Sequence, residues 1–166
     1  MRKLLVPFLL VLVLPATALA KQPLPPPQGG NGTLSIREGR GMVQLNARGT
    51  ITGRLRGRLT ITDPNPRDSR RPVVYGATRT TAKSLKTVVY QGRNVRFRLV
   101  GATYTIRLDG RAIFMSAIGR GRGILDGAGD VQKQVFYDGV WSLNDEPYHS
   151  LPDDPTPFEL APPVAG

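Results

Sequence analysis

The stretch Gly92–Gly127, GRNVRFRLVGATYTIRLDGRAIFMSAIGRGRGILDG, constrains the fold more than any other part of the chain. Val95, Phe97 and Leu99 alternate with Arg96 and Arg98, and Ile106 and Leu108 alternate with Thr105, Arg107 and Asp109. A period of two, carried by β-branched and aromatic residues, marks strands with one face in a core and the other in water. Gly101, Gly110 and Gly119 fall where each run has to change direction. The stretch therefore reads as four consecutive strands separated by glycine turns.

The pattern extends upstream. Leu34 and Ile36 alternate with Ser35 and Arg37, and Met42–Leu45 follows a Gly-Arg-Gly turn. In Thr50–Asp63, TITGRLRGRLTITD, residues Arg54, Arg56, Arg58, Thr60 and Thr62 share one face, and Leu55, Gly57, Leu59 and Ile61 the other. Asp63–Pro72, DPNPRDSRRP, is a loop by its prolines and aspartates. Val73–Gly76 and Thr87–Tyr90 read as strands, and Ala77–Lys86 is the only segment with room for a short helix. Gln134–Tyr137 and Val140–Leu143 flank an Asp138-Gly139 hairpin signal.

The expected fold is all-β: a single barrel-like or sandwich domain over residues 33–151, of about 8–10 short antiparallel strands. Glycines on apolar faces (Gly57, Gly121, Gly123) mark strong curvature and favour the barrel. The expected core draws on Ile36, Val43, Leu45, Leu55, Leu59, Ile61, Val74, Val89, Val95, Phe97, Leu99, Ile106, Leu108, Ile113, Phe114 and Trp141. Ala112–Ile118 alternates two nearly apolar faces, so the direction of Phe114 stays open.

Residues 1–20 have the form of a secretory signal peptide. Arg2 and Lys3 precede an apolar run, Leu4–Leu14, too short to span a bilayer, and Ala18-Leu19-Ala20 is a small-x-small cleavage pattern. The expected product is a secreted, extracellular or envelope-associated protein cut after Ala20. It then has a Pro/Gly linker over 21–32 and no later transmembrane segment. The chain has no cysteine, so it holds no disulfide, no cysteine nucleophile and no cysteine-ligated metal.

Charge is the strongest compositional signal. The chain carries +11, and 18 of its 23 basic residues are arginine; losing Arg2 and Lys3 leaves +9. Residues 21–137 carry a net +15, while 138–166 carry −6 with no Lys or Arg. Arg54, Arg56 and Arg58, with Arg96, Arg98, Arg120 and Arg122 if their strands are neighbours, form the candidate anion-binding face. Guanidinium groups hold phosphate, sulfate and carboxylate bidentately. Few aromatics accompany them, so base stacking and specific nucleic-acid recognition are not indicated. Pro152–Gly166, with five prolines, reads as an acidic disordered tail, or alternatively as one that lies back on the arginine face and shields it.

No catalytic, metal or cofactor site is singled out. A serine triad would have to use His149, the one histidine, and there is no G-x-S-x-G elbow. Asp63, Asn65 and Asp68, or Asp126 and Asp130, do not match the spacing of a twelve-residue calcium loop.

The runs ITDPNPRD, GRNVRFRLVG, GRGRGILDG and DGVWS before a Leu-Pro resemble a group of small secreted Gly/Arg-rich proteins of high-GC Gram-positive bacteria, over Gly32–Pro152. That resemblance implies secretion and an all-β fold, and it carries no activity across. The functional expectation is an exported non-enzymatic β domain that binds an anionic polymer or surface at the cell envelope. The alternatives are a small-ligand-binding barrel or hydrolase with an interior pocket, and an envelope structural or assembly module.

Overall fold

The computed structural model describes residues 30–129 and 138–160. The expected signal peptide, the linker up to residue 29, the strand at Gln134–Tyr137 and the last six residues lie outside the described residues. The described chain is all-β, without a helix. Its strands are β1 (Gly32–Thr62), β2 (Val73–Tyr75), β3 (Arg79–Ala82), β4 (Thr87–Gly127), β5 (Val140–Leu143), β6 (His149–Ser150) and β7 (Thr156–Leu160).

β1 and β4 run 31 and 41 residues, against about 5–6 for an ordinary strand. They pair antiparallel from Gly32↔Gly119 to Thr62↔Thr87, and again along the other edge of β1 from Gly41↔Gly127 to Thr62↔Thr105. The two registers dictate the shape. Ile36 and Gly53 both flank Met115, and Leu45 and Ile61 both flank Ile106. So β1 returns beside itself, about 10 Å away, after 16 or 17 residues that would cover about 55 Å if straight. The ribbon has to fold over. It does so along two lines of cross-strand partners: Gly92, Gly57, Gly110, Gly41 and Gly127 in one, and Gly49, Gly119 and Gly32 in the other.

These lines divide one continuous sheet into two walls. The front wall holds residues 32–40 and 49–56 of β1, 93–101 and 111–118 of β4, and β2, β5 and β6. The back wall holds residues 41–48 and 57–62 of β1, 87–92, 102–110 and 119–127 of β4, and β3 and β7. Each wall turns one apolar face inward. Ile36, Leu55 and Leu99 from the front join Leu45, Leu59 and Ile106 from the back in one buried cluster. Two local irregularities keep the apolar side inward across the bends. Glu38 and Ala112, at φ 56° and 49°, shift the alternation so that Leu34 and Ile36 hand over to Val43 and Leu45, and Leu108 to Ile113.

Several expectations are corrected here. The glycines bend two long strands instead of ending eight to ten short ones, because a flat ladder continues through each bend. The curvature they signalled is present, but the seven-stranded sheet is not closed into a barrel. Ala77–Lys86 contains strand β3 and no helix. Phe114 faces out; Ile113, Met115 and Ala117 are the inward residues of that strand. Val74 and Trp141 are only partly buried against the core.

Of the tail expected to be disordered from Pro152, the described part up to Leu160 is ordered and the rest lies outside the described residues. Thr156–Leu160 is strand β7, paired with Gly121–Leu125, and Phe158 and Leu160 are buried. The Phe158 ring reaches Trp141 of β5, with centroids 6.2 Å apart. Strand β7 of the back wall is thus tied to β5, which lies between β1 and β6 in the front wall. Burial of two large apolar side chains outweighs the proline content of the segment.

Candidate functional site

The seven predicted arginines do not form one face. The bend at Gly57 separates them: Arg54 precedes it on the front wall and Arg58 follows it on the back wall. Arg56 sits at the bend, opposite Arg111. Alternation along a strand keeps all three outside the core, but the fold points them in different directions. Arg120 and Arg122 are on the back wall. Arg120 Nε donates to the Gly30 carbonyl at 2.9 Å, and Arg122 Nε lies 3.5 Å from Glu159 of β7. The back wall is mixed in charge elsewhere too. Arg107 is paired with Asp109 at 2.9 Å, which holds the guanidinium even more firmly protonated than usual. With the Gln91 amide turned so that its oxygen faces Arg58, that oxygen accepts from Arg58 Nε and Nη2 at 3.0 and 3.1 Å.

The front wall is different. Arg54 and Arg96 are direct cross-strand partners, and Arg98 lies two residues along from Arg96. All three are exposed. Like charges directly opposite one another oppose sheet formation. Among the described residues no carboxylate relieves them: the groove of about 680 Å³ over this wall is lined by Arg37, Arg54, Arg96 and Arg98 and by no described Asp or Glu. Arg37 is the fourth member, which the sequence reading left out. Its strand neighbours are not arginine-rich, and only the register of β1 against β4 and β5 brings it to this face.

The outer surface of the wall is ordered in rows that run across the strands. Tyr75, Arg96, Arg54 and Phe114 are successive partners. Beside them run Val73, Arg98, Thr52, Ser116, Ser35 and Ser142. A third row contains Val100, Thr50, Ile118 and Thr33, in which Val100 and Ile118 are 44% and 52% exposed. The short hydroxyl side chains of the middle row form the floor between taller neighbours. The Arg54 guanidinium lies 4.3 Å from the Phe114 ring centroid, and that of Arg37 4.4 Å from the Tyr148 ring. Tyr148 in turn shares a 2.9 Å hydrogen bond with Ser35. Two aromatic rings, Phe114 and Tyr148, thus lie against arginines of this wall.

No family model matches the chain, no curated protein matches it, and no solved structure matches it.

The remaining titratable groups have structural surroundings. Asp63 accepts the Asn65 amide at 2.8 Å and Asp68 the Arg70 amide at 2.9 Å, which closes the proline-rich loop with local turns. Tyr104 donates to the Arg70 carbonyl, and burial pushes its hydroxyl above the usual range, with Asp63 and Asp68 adding to the effect. Among the described residues no three metal-ligating side chains converge. His149 is exposed on β6.

Proposed function

We propose that this is an exported, non-enzymatic β domain that holds an anionic polymer or surface of the cell envelope on its front wall. The observation that carries this reading is the Arg54–Arg96 pair with Arg37 and Arg98 beside it, in a groove without acidic lining residues. An opposed pair of cations weakens a sheet by itself. A bound carboxylate, phosphate or sulfate between the two forks turns that repulsion into two charge-assisted contacts. The signal-peptide pattern of residues 1–20 supports an extracellular place of action, and the resemblance to small secreted proteins agrees with it.

The alternative of an interior ligand pocket loses its support. The space between the walls is occupied by large side chains such as Tyr104, Leu45, Leu99 and Ile106, each fully buried. The described part of the acidic tail lies on the back wall, where Glu159 meets Arg122.

The test is binding of the 21–166 protein to isolated cell envelopes across a salt series. Binding on this account weakens steeply as ions screen the arginines, whose reach is about 10 Å at 0.1 M salt. Salt-independent binding, or none at low salt, contradicts it.

A further inference from the structure

The arrangement of the front wall narrows the ligand class. This step rests on the anion-binding reading above. We propose that the groove binds a linear acidic polysaccharide in which uncharged sugars separate the acidic ones, and that Phe114 and Tyr148 are positioning residues for Arg54 and Arg37.

The spacing of the charges is the first argument. Arg54 and Arg96 are cross-strand partners, but the Arg54 guanidinium lies over Phe114, one strand farther on, which sets it about two strand gaps, about 10 Å, from the Arg96 strand. From Arg98 the middle row continues through Thr52, Ser116 and Ser35, which span three strand gaps, about 14 Å, without a charge. Arg37 lies two residues beyond Ser35 in the chain, at the far end. A polyphosphate or nucleic-acid strand places a charge at every repeat and leaves this uncharged stretch without a purpose. A glycan with neutral residues between its acidic ones puts hydroxyls there.

The chemistry of the floor is the second argument. Ser35, Ser116 and Thr52 offer hydroxyls that both donate and accept, which suits sugar hydroxyls whatever their orientation. The aromatic rings are the third. Phe114 and Tyr148 each carry a guanidinium at 4.3 to 4.4 Å and have that face occupied, so they are not free for base stacking. They work as supports instead. A guanidinium lying flat on a ring keeps its planar N–H edge free for an oxyanion and loses less freedom on binding. Tyr75, 68% exposed at the end of the arginine row, has an open ring, and its apolar face suits the C–H face of a sugar.

The experiment is calorimetric titration of the 21–166 protein with three probes of matched total charge. These are a hyaluronan oligosaccharide of alternating uronate and neutral sugar, a linear polyphosphate, and single-stranded DNA. The glycan is expected to bind tightest. The double variant T52V/S116V should weaken the glycan about tenfold, as for loss of a well-made hydrogen bond or two, and leave polyphosphate unchanged. Phe114→Leu should weaken the glycan about fivefold while the thermal midpoint stays within a few degrees. Rescue by Phe114→Tyr separates support of Arg54 from packing. Tighter binding of polyphosphate or DNA, or no effect of the hydroxyl variant, overturns the glycan assignment and leaves the anion-binding reading standing. Binding of none of the three overturns both.

Discussion

Phe158 lies directly over Gly123. The two are register partners, and the Phe158 ring fills the space that a Cβ at position 123 would need. The absence of a side chain at residue 123 is therefore what lets the last strand seat its ring against the core. Phe158→Ala should cost about 3–5 kcal/mol, as for a large aromatic removed from a packed site. Gly123→Val should be comparably damaging because it evicts the ring. Urea unfolding of the two variants checks this; a 21–154 truncation that unfolds at the full-length midpoint contradicts it.

Gly57 occupies the middle of a bend at φ +150°, and a Cβ there would collide with the Asp109 carbonyl across the strand gap. Gly101 also has positive φ, 74°, but a Cβ there meets only the flexible Arg70 side chain at 3.8 Å. Gly57→Ala should therefore destabilise by at least ~2 kcal/mol and Gly101→Ala by ~1 kcal/mol. Equal losses in thermal unfolding would mean that close approach does not set the bends.

Asp138 is 6% exposed, and one of its carboxylate oxygens has no hydrogen-bond partner among the described residues. Burial pushes its pKa above the ordinary 3.8; Arg40 opposes the shift and Asp153 adds to it. A carboxyl whose folded pKa is raised binds its proton more tightly when folded. Its stabilising contribution is present in full below the unfolded pKa and is lost as pH rises through the folded one. Relative to Asp138→Asn, the natural protein should lose stability across that window. The variant should show a higher unfolding midpoint at pH 7 and a flatter pH profile. A lower midpoint for the variant at every pH contradicts this.

Much of the fold was legible in the residues. Alternation at Val95–Leu99 and Leu55–Ile61 identified inward faces correctly because it reports a local geometry that the tertiary structure kept. The glycines located the bends but could not say whether a ladder stops or continues through them. That depends on partners 35 and 69 residues away, such as Gly57 with Gly92 and Gly41 with Gly110. The tail was misread because Pro155 and Pro157 outweigh Phe158 in a local reading, while the hole at Gly123 that receives Phe158 is distant in sequence.

The candidate site was half legible. Arg54, Arg96 and Arg98 were picked out by number, and the register makes Arg54 and Arg96 partners. Arg58 was grouped with them by spacing along a strand that proves to be bent, and Arg37 was missed because nothing near it in sequence announces a basic row. Arg120 and Arg122 were placed on the same face by the assumption of neighbouring strands, but they are on the opposite wall.

The central claim is that location on the front wall, and not total charge, confers binding. The direct measurement compares two triple variants of the 21–166 protein in envelope binding at low salt. One is R54S/R96S/R98S on the front wall. The other is R48S/R58S/R79S on the back wall, which removes the same charge. The account predicts that the front-wall variant loses at least about tenfold in affinity, two or more charge-assisted contacts being gone, and that the back-wall variant loses no more than about twofold through screened long-range attraction. Equal losses in the two would contradict it and reduce the binding to net charge.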